Sequence, residues 1–314
     1  MVANEKSRNF RLKSVQISIK NKVAYLFHFH KMKTIKIAGV PEHFNLPWQL
    51  CIEKGEFLNE NINLEWTNVP EGTGKLCQML RDGATDIAII LTEGIFKDII
   101  AGNDSSIVQK FVESPLLWGI HVDAKSSFDT LSDLQNKKAA ISRLGSGSHL
   151  MSIVNASKQN WDIENLKYVI VNTIDGAVEA LTNSQADYFM WEHFMTKPLV
   201  DSGVFRRIAD CPTPWPSFVI AVQNKILQSQ PQTIAKILEI INEKTRHFKN
   251  IDAIVTILAD RYNLKTEDCQ TWLSKTTWSQ HNLNEKAFEK IQNQLLAFKI
   301  IDKKTTFAKL IKVL

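Results

Sequence analysis

An internal echo constrains this chain more than any other feature. Leu80-Arg81-Asp82-Gly83-Ala84-Thr85-Asp86-Ile87-Ala88 is answered later by Leu181-Thr182-Asn183-Ser184-Gln185-Ala186-Asp187-Tyr188-Phe189. Each time a helical pattern ends in leucine, and an aspartate six residues on opens a continuous apolar run. Each run is followed by a glutamate, Glu93 or Glu192. An apolar run of this kind suits a strand covered by helices on both faces. Two such units in the same order predict an α/β protein of two lobes, each with a mixed, mainly parallel sheet. A length of 314 residues is enough for two cores.

The flanking segments agree. Lys33–Val40 alternates apolar residues and stops at Pro41. Asn45 can cap a helix that holds Pro47 in its first turn and ends near Gly55. Ile62–Val69 reads as a strand, followed by a helix to Gly83 and the strand Asp86–Leu91. The pattern repeats with strand Lys138–Arg143, a helix through Gln159, strand Tyr168–Val171, a helix opened by Asp175-Gly176 and strand Asp187–Trp191. Beyond the proline-rich stretch Pro212–Pro216 lies one more strand, Phe218–Val222. The rest carries helical stripes, Ile234, Ile237, Leu238 and Ile241, then Phe288, Ile291, Leu295 and Phe298.

The net charge of +5 invites a nucleic-acid reading, so its location matters. Residues 1–31 hold seven of the 38 basic residues and one of the 33 acidic ones. The remainder is close to neutral, which removes the compositional case for binding a phosphate backbone. No apolar run is long enough to span a bilayer. The tail has neither a secretory apolar core nor a small-residue cleavage site. It reads as a mis-assigned start before Met32 or as a transit peptide, and the expected location is cytoplasmic. Cys51, Cys77, Cys211 and Cys269 lack metal-ligand or redox spacing, so no disulfide is expected.

On specific motifs, the sequence resembles the type II periplasmic binding-protein-like domains of the nitrate, sulfonate and thiamine-precursor group. The motifs are Phe44-Asn45-Leu46-Pro47-Trp48 after the first strand, Cys51-Ile52-Glu53-Lys54-Gly55-Glu56-Phe57, and Gly83-Ala84-Thr85-Asp86-Ile87-Ala88. They continue with Thr130-Leu131-Ser132-Asp133-Leu134-Gln135-Asn136-Lys137-Lys138 and Gly145-Ser146-Gly147-Ser148. The resemblance covers nearly everything after Met32 and is closest to a leaderless, cytosolic branch. It implies a first lobe of 32–115 plus 217–314, a second of 116–216, crossovers near Glu113–Trp118 and Cys211–Ser217, and a ligand cleft between the lobes.

The candidate ligand residues lie at the carboxyl ends of strands, where α/β sheets bind ligands. After the first strand come His43, Phe44, Asn45 and Trp48. Phe44 and Trp48 offer stacking surfaces, and His43 and Asn45 offer polar contacts. The blander reading makes Asn45 a cap and Trp48 core. Glu71, Gly72 and Thr73 precede a helix whose free N–H groups suit a polar substituent. The run Gly72-Thr73-Gly74-Lys75-Leu76 is not a phosphate-binding P-loop, because the upstream glycine and the following Ser/Thr are missing. Gly145, Ser146 and Ser148 form the matching loop of the second lobe, with Arg143 just before it. Thr92 and Glu93, and Trp191 and Glu192, follow the two buried strands; each glutamate either meets an amino group or a protonated ring, or caps its helix. Trp118 is a weaker stacking candidate, and Trp215 is a hinge element or cleft wall.

These residues predict reversible binding of one small, planar, polar molecule such as a pyrimidine or thiamine precursor, or a small anion such as a sulfonate. A transporter or another protein would read the bound state. The alternative is an enzyme on the same frame, resembling menaquinone-pathway lyases, with His43, Glu71, Glu93, His149 and Glu192 as acid–base groups. A thiamine-type pyrimidine synthase is weakened by the absence of its cysteine-rich stretch. A protein-interaction module finds no heptad, repeat or proline-rich run. No cofactor, metal or nucleic-acid motif is present.

Overall fold

The computed structural model describes residues 32–314; the basic segment 1–31, with its readings as start or transit peptide, lies outside the described residues. The first lobe contains β1 (Lys33–Gly39), α1 (Leu46–Glu53), β2 (Ile62–Asn68), α2 (Thr73–Asp82), β3 (Ile87–Leu91), α3 (Thr92–Ile100) and β4 (Ser105–Val112). The second contains β5 (Leu117–Asp123), β6 (Lys138–Ile141), α4 (Gly147–Lys158), β7 (Lys167–Ile170), α5 (Ile174–Thr182), β8 (Tyr188–Glu192), α6 (Lys197–Asp201) and β9 (Phe205–Pro212). The chain then returns to the first sheet as β10 (Phe218–Gln223). It ends in six helices, α7 (Asn224–Ser229), α8 (Pro231–His247), α9 (Ile254–Tyr262), α10 (Thr266–Lys275), α11 (Glu285–Ala297) and α12 (Phe307–Leu310).

The sheets have orders β2-β1-β3-β10-β4 and β7-β6-β8-β5-β9. In each, the first three strands run parallel and the fourth, β10 or β5, is antiparallel to both neighbours. The echoing strands β3 and β8 thus occupy the same central position. All five residues of β3 are buried, as a strand covered on both faces requires. Three strands, β4, β5 and β9, have no counterpart in the sequence reading. They open on Ser105-Ser106 or carry His121, Arg206 and Arg207, which blurs their apolar periodicity.

The long apolar stripe of α8 covers α1, and α8 joins the first lobe by a Lys244–Glu56 ion pair of 2.5 Å. A parallel bridge between Ile107 and Ile311 adds the chain end to β4. Two segments, 113–116 and 213–217, pass between the sheets. All four cysteines are buried free thiols.

Candidate functional site

The parallel strands of both sheets point their carboxyl ends at one cavity of about 40 Å³. By that measure it has room for roughly three ordered waters. Its first-lobe wall is Val40 and Glu42 after β1, Glu71, Gly72 and Thr73 before α2, Leu91 at the end of β3, and Phe218 at the start of β10. Opposite stand Trp118 of β5, Ser142, Ser146, Gly147 and Ser148 at the entry to α4, and Trp191 and Glu192 at the end of β8. Leu116, in a crossover, completes it.

The second-lobe loop is pre-arranged by its own hydroxyl groups. Ser148 Oγ accepts from the Ser142 amide at 3.0 Å and lies 3.1 Å from both Ser142 Oγ and Ser146 Oγ. Ser146 also caps α4 by accepting from the His149 amide. The lobes nearly touch here: a Cβ on Gly147 would meet Trp118 Cη2 at 2.6 Å and Leu91 Cδ1, across the cleft, at 3.0 Å. In the first lobe, Gly72 holds φ at +76°, a conformation that favours glycine, and so turns the chain into α2. Thr73 is pressed against Gly94, where even a methyl group would collide with its Cγ2.

Two carboxyl groups face the cavity from opposite lobes. Glu192 is 3 % exposed, and its Oε2 accepts from the amides of Phe194 and Met195 at 2.8 and 2.7 Å. Burial, together with the charge of Glu42, holds it well above the usual carboxylate range, although the two amides pull the other way. Burial pushes Glu42 up to about 7. The walls beside them are indoles: Trp118 and Trp191 meet edge to face at 6.3 Å.

Of the sequence candidates, Glu71, Gly72, Thr73, Ser146, Ser148, Trp191 and Glu192 line this cavity, as does Trp118. The loop after β1 is turned differently. His43 is fully buried, stacked on Trp272 at 4.3 Å, and its Nε2 lies 3.9 Å from Glu192 Oε2. Burial pulls its pKa down to about 3, so the ring is neutral. Phe44 packs under Phe218 at 5.1 Å. Asn45 neither caps α1 nor faces the cavity; its Nδ2 donates to Val40 O at 2.8 Å and ties the loop to the strand end. Trp48 is core, against Phe57 and Phe111.

Thr92, Glu93 and Trp215 hold the returning crossover instead. Thr92 Oγ1 donates to Pro216 O at 2.5 Å, and Trp215 Nε1 donates to Glu93 Oε2 at 2.7 Å. Arg143 and Gly145 line an open groove of about 510 Å³ that adjoins the cavity at Glu71 and Thr73, with Lys75, Arg81, Lys97 and Asp98. There Arg143 donates to the backbone oxygen of Glu71 and joins the lobes at the mouth.

The sequence reading missed Val40, Glu42, Leu91, Leu116, Ser142, Gly147 and Phe218. Glu42 had a usable signal, a carboxylate in the same strand-end loop as His43. The apolar members had none, because an apolar residue at a strand end reads as core. Among the described residues no cluster of three or more His, Cys, Asp or Glu could hold a metal, and no helix is long and apolar enough to cross a membrane.

Two α/β lobes with identical strand order, joined by two crossovers around a cleft, are the periplasmic-binding-protein fold. The segment 118–211 matches the family model of the Ca3427-like PBP. The conserved Candida albicans CA3427 gene product, described as having that generic fold, superposes with a TM-score of 0.82 at 24% identity, covering 89% of this chain and 96% of its own. The alkanesulfonate-binding protein SsuA from Xanthomonas axonopodis pv. citri, bound to MOPS, gives 0.75 at 16% identity, covering 90% and 98%. The periplasmic aliphatic sulphonate binding protein SsuA from Escherichia coli gives 0.66 at 17%, covering 88% and 91%. No curated protein matches the chain in sequence.

Proposed function

We propose that this protein reversibly binds one small molecule between its lobes and closes over it. The observation that carries this reading is a cavity walled from both lobes, by Glu71, Gly72, Thr73 and Glu42 on one side and Ser146, Ser148, Trp118, Trp191 and Glu192 on the other. A molecule touching both walls stabilises the closed arrangement by its differential affinity for it. The moving bodies in this proposal are 32–115 with 217–314, and 116–216, which hinge where Trp215 and Glu93 meet.

The two indoles and the hydroxyl-lined loop favour a small, planar, polar molecule such as a pyrimidine or thiamine precursor. A small sulfonate is favoured by the ligands named for the SsuA relatives. A membrane transporter or another protein would read the closed state, and a cytoplasmic location, testable by fractionation, belongs to the same proposal.

The test is small-angle scattering and native mass spectrometry with thiamine precursors, pyrimidines, nucleosides and alkylsulfonates. A bound ligand is expected to shrink the radius of gyration, return with unchanged mass, and at about a hundred times its Kd stabilise the fold by about 2.7 kcal/mol. A ligand that binds without compaction would remove the closure step. One that returns with a new mass would make the protein an enzyme.

A further inference from the structure

The walls of the cavity carry a charge pattern that narrows the ligand, given the binding reading above. Among the described residues no lysine, arginine or histidine lines the cavity, while Glu42 and Glu192 both do. The cations nearby stand outside: Lys75, Arg81, Lys97 and Arg143 line the open groove, and Arg81 is occupied by Asp98. Burial keeps the His43 ring neutral, and its distance of 3.9 Å from Glu192 Oε2 is beyond hydrogen bonding.

Glu42 makes no side-chain hydrogen bond among the described residues. Glu192 directs only Oε2 at backbone amides and leaves Oε1 without a partner. A third polar group waits beside them. Trp118 is 4 % exposed, and its Nε1 has no hydrogen-bond partner. Buried polar groups are normally satisfied, and a buried carboxylate without a counter-charge is costly. Trp118 Nε1, a buried donor without a partner, and the two carboxyl groups beside it mark the places a ligand would fill.

We propose that the interlobe cavity selects ligands that present a cationic nitrogen to Glu42 and Glu192, with the indoles of Trp118 and Trp191 beside it and a neutral acceptor for Trp118 Nε1. Closure brings the two carboxylates onto one positive group, because each belongs to a different lobe. Aromatic faces favour a desolvated cation through the ring quadrupole. The same walls offer a sulfonate or carboxylate no cationic side chain, so the charge preference of this cavity is opposite to that suggested by the ligands of the SsuA relatives.

The experiment uses three molecules of nearly equal shape: glycinamide (cationic), propionamide (neutral) and propionate (anionic). Each is titrated at constant ionic strength near neutral pH, and binding is read from the indole N–H resonances of Trp118 and Trp191. Glycinamide is expected to bind about tenfold tighter than propionamide, with propionate weakest. The preference should shrink severalfold in Glu192→Gln, whose amide oxygen can still accept from Phe194 and Met195. It should shrink likewise in Glu42→Gln, which breaks no internal bond. An additional readout needs no ligand: Glu42→Gln should raise the melting temperature of the protein, because it removes a half-buried carboxyl group that has no side-chain hydrogen bond among the described residues.

Propionate binding as tightly as glycinamide, or a preference unchanged in both variants, overturns the charge inference and leaves small-molecule binding standing. A lowered melting temperature in Glu42→Gln would show the carboxylate to be structural and also overturn it. Indole resonances that none of the three moves would overturn both this inference and the choice of cavity.

Discussion

Glu93 and Glu192 occupy the same place in two copies of one motif, directly after the central strands β3 and β8, yet they serve different ends. Glu93 is fully buried; one oxygen accepts from Trp215, and the other has no partner. Glu192 caps the turn that follows it and faces the cavity. The difference lies in what crosses above each strand end. Over β3 the returning crossover lays Trp215 and Pro216 across Thr92 and Glu93, whereas over β8 the space opens on the cleft. A repeated motif sets where a carboxyl group stands, and what the returning crossover lays over it decides whether it meets that crossover or the cavity.

The comparison breaks most severely at Trp215. Trp215→Ala removes a buried indole and strands Glu93, so we expect a loss of about 3–5 kcal/mol in denaturant unfolding. Trp191→Ala, on the half-buried cavity side of the second copy, should cost clearly less while abolishing ligand response. Equal losses would mean that the cleft wall is as structural as the hinge.

Gly147→Ala tests the cleft itself. Its methyl group collides with Trp118 and with Leu91 across the gap, so about 1–3 kcal/mol of strain is expected. Scattering should show a larger radius of gyration and weaker binding. Gly74→Ala meets only the flexible end of Arg143 and should leave compaction nearly unchanged.

Titration sharpens the comparison further. Burial pushes Glu93 up to about 7, against the bond from Trp215, while an unfolded glutamate titrates near its ordinary value. The native state therefore holds the proton more tightly. Its contribution is fully present below about pH 4.5 and is lost as pH rises through about 7. Glu93→Gln should flatten that decline by about 1–3 kcal/mol between its ends, measured as stability against pH.

The smallest effect belongs to a second contact between the lobes, away from the cavity. Lys265 of the carboxyl-terminal region reaches Asp201 of the second lobe at 2.8 Å. Asp201→Asn should change stability only slightly, and the difference should vanish at high salt, because the pair is screened by solvent. A large, salt-independent effect would give this contact a role in holding the lobes shut.

Much of this arrangement was legible beforehand. The echo of Leu80–Ala88 in Leu181–Phe189 identified the two central strands, and the Gly72 and Gly145 loops marked two strand-end turns. The loop after β1 was misread in detail. His43 and Asn45 look like ligand contacts because they are polar at a strand end, but Trp272, more than two hundred residues away, stacks over His43. Asn45 spends its amide on Val40. Glu42, which does face the cavity, differs from its neighbour only in where the backbone points it.

The sequence alone determined what depends on local periodicity and backbone conformation: the strands and helices with a clear apolar pattern, though not β4, β5 or β9, and that two similar α/β units follow one another. Only the tertiary structure decided which strand-end residues share a cavity, which are sealed in the core and which hold the crossover. Those assignments depend on contacts between residues far apart in the chain, such as Trp215 with Glu93 and Gly147 with Leu91. A local pattern records the direction of a strand, but not what the rest of the chain will place over its end.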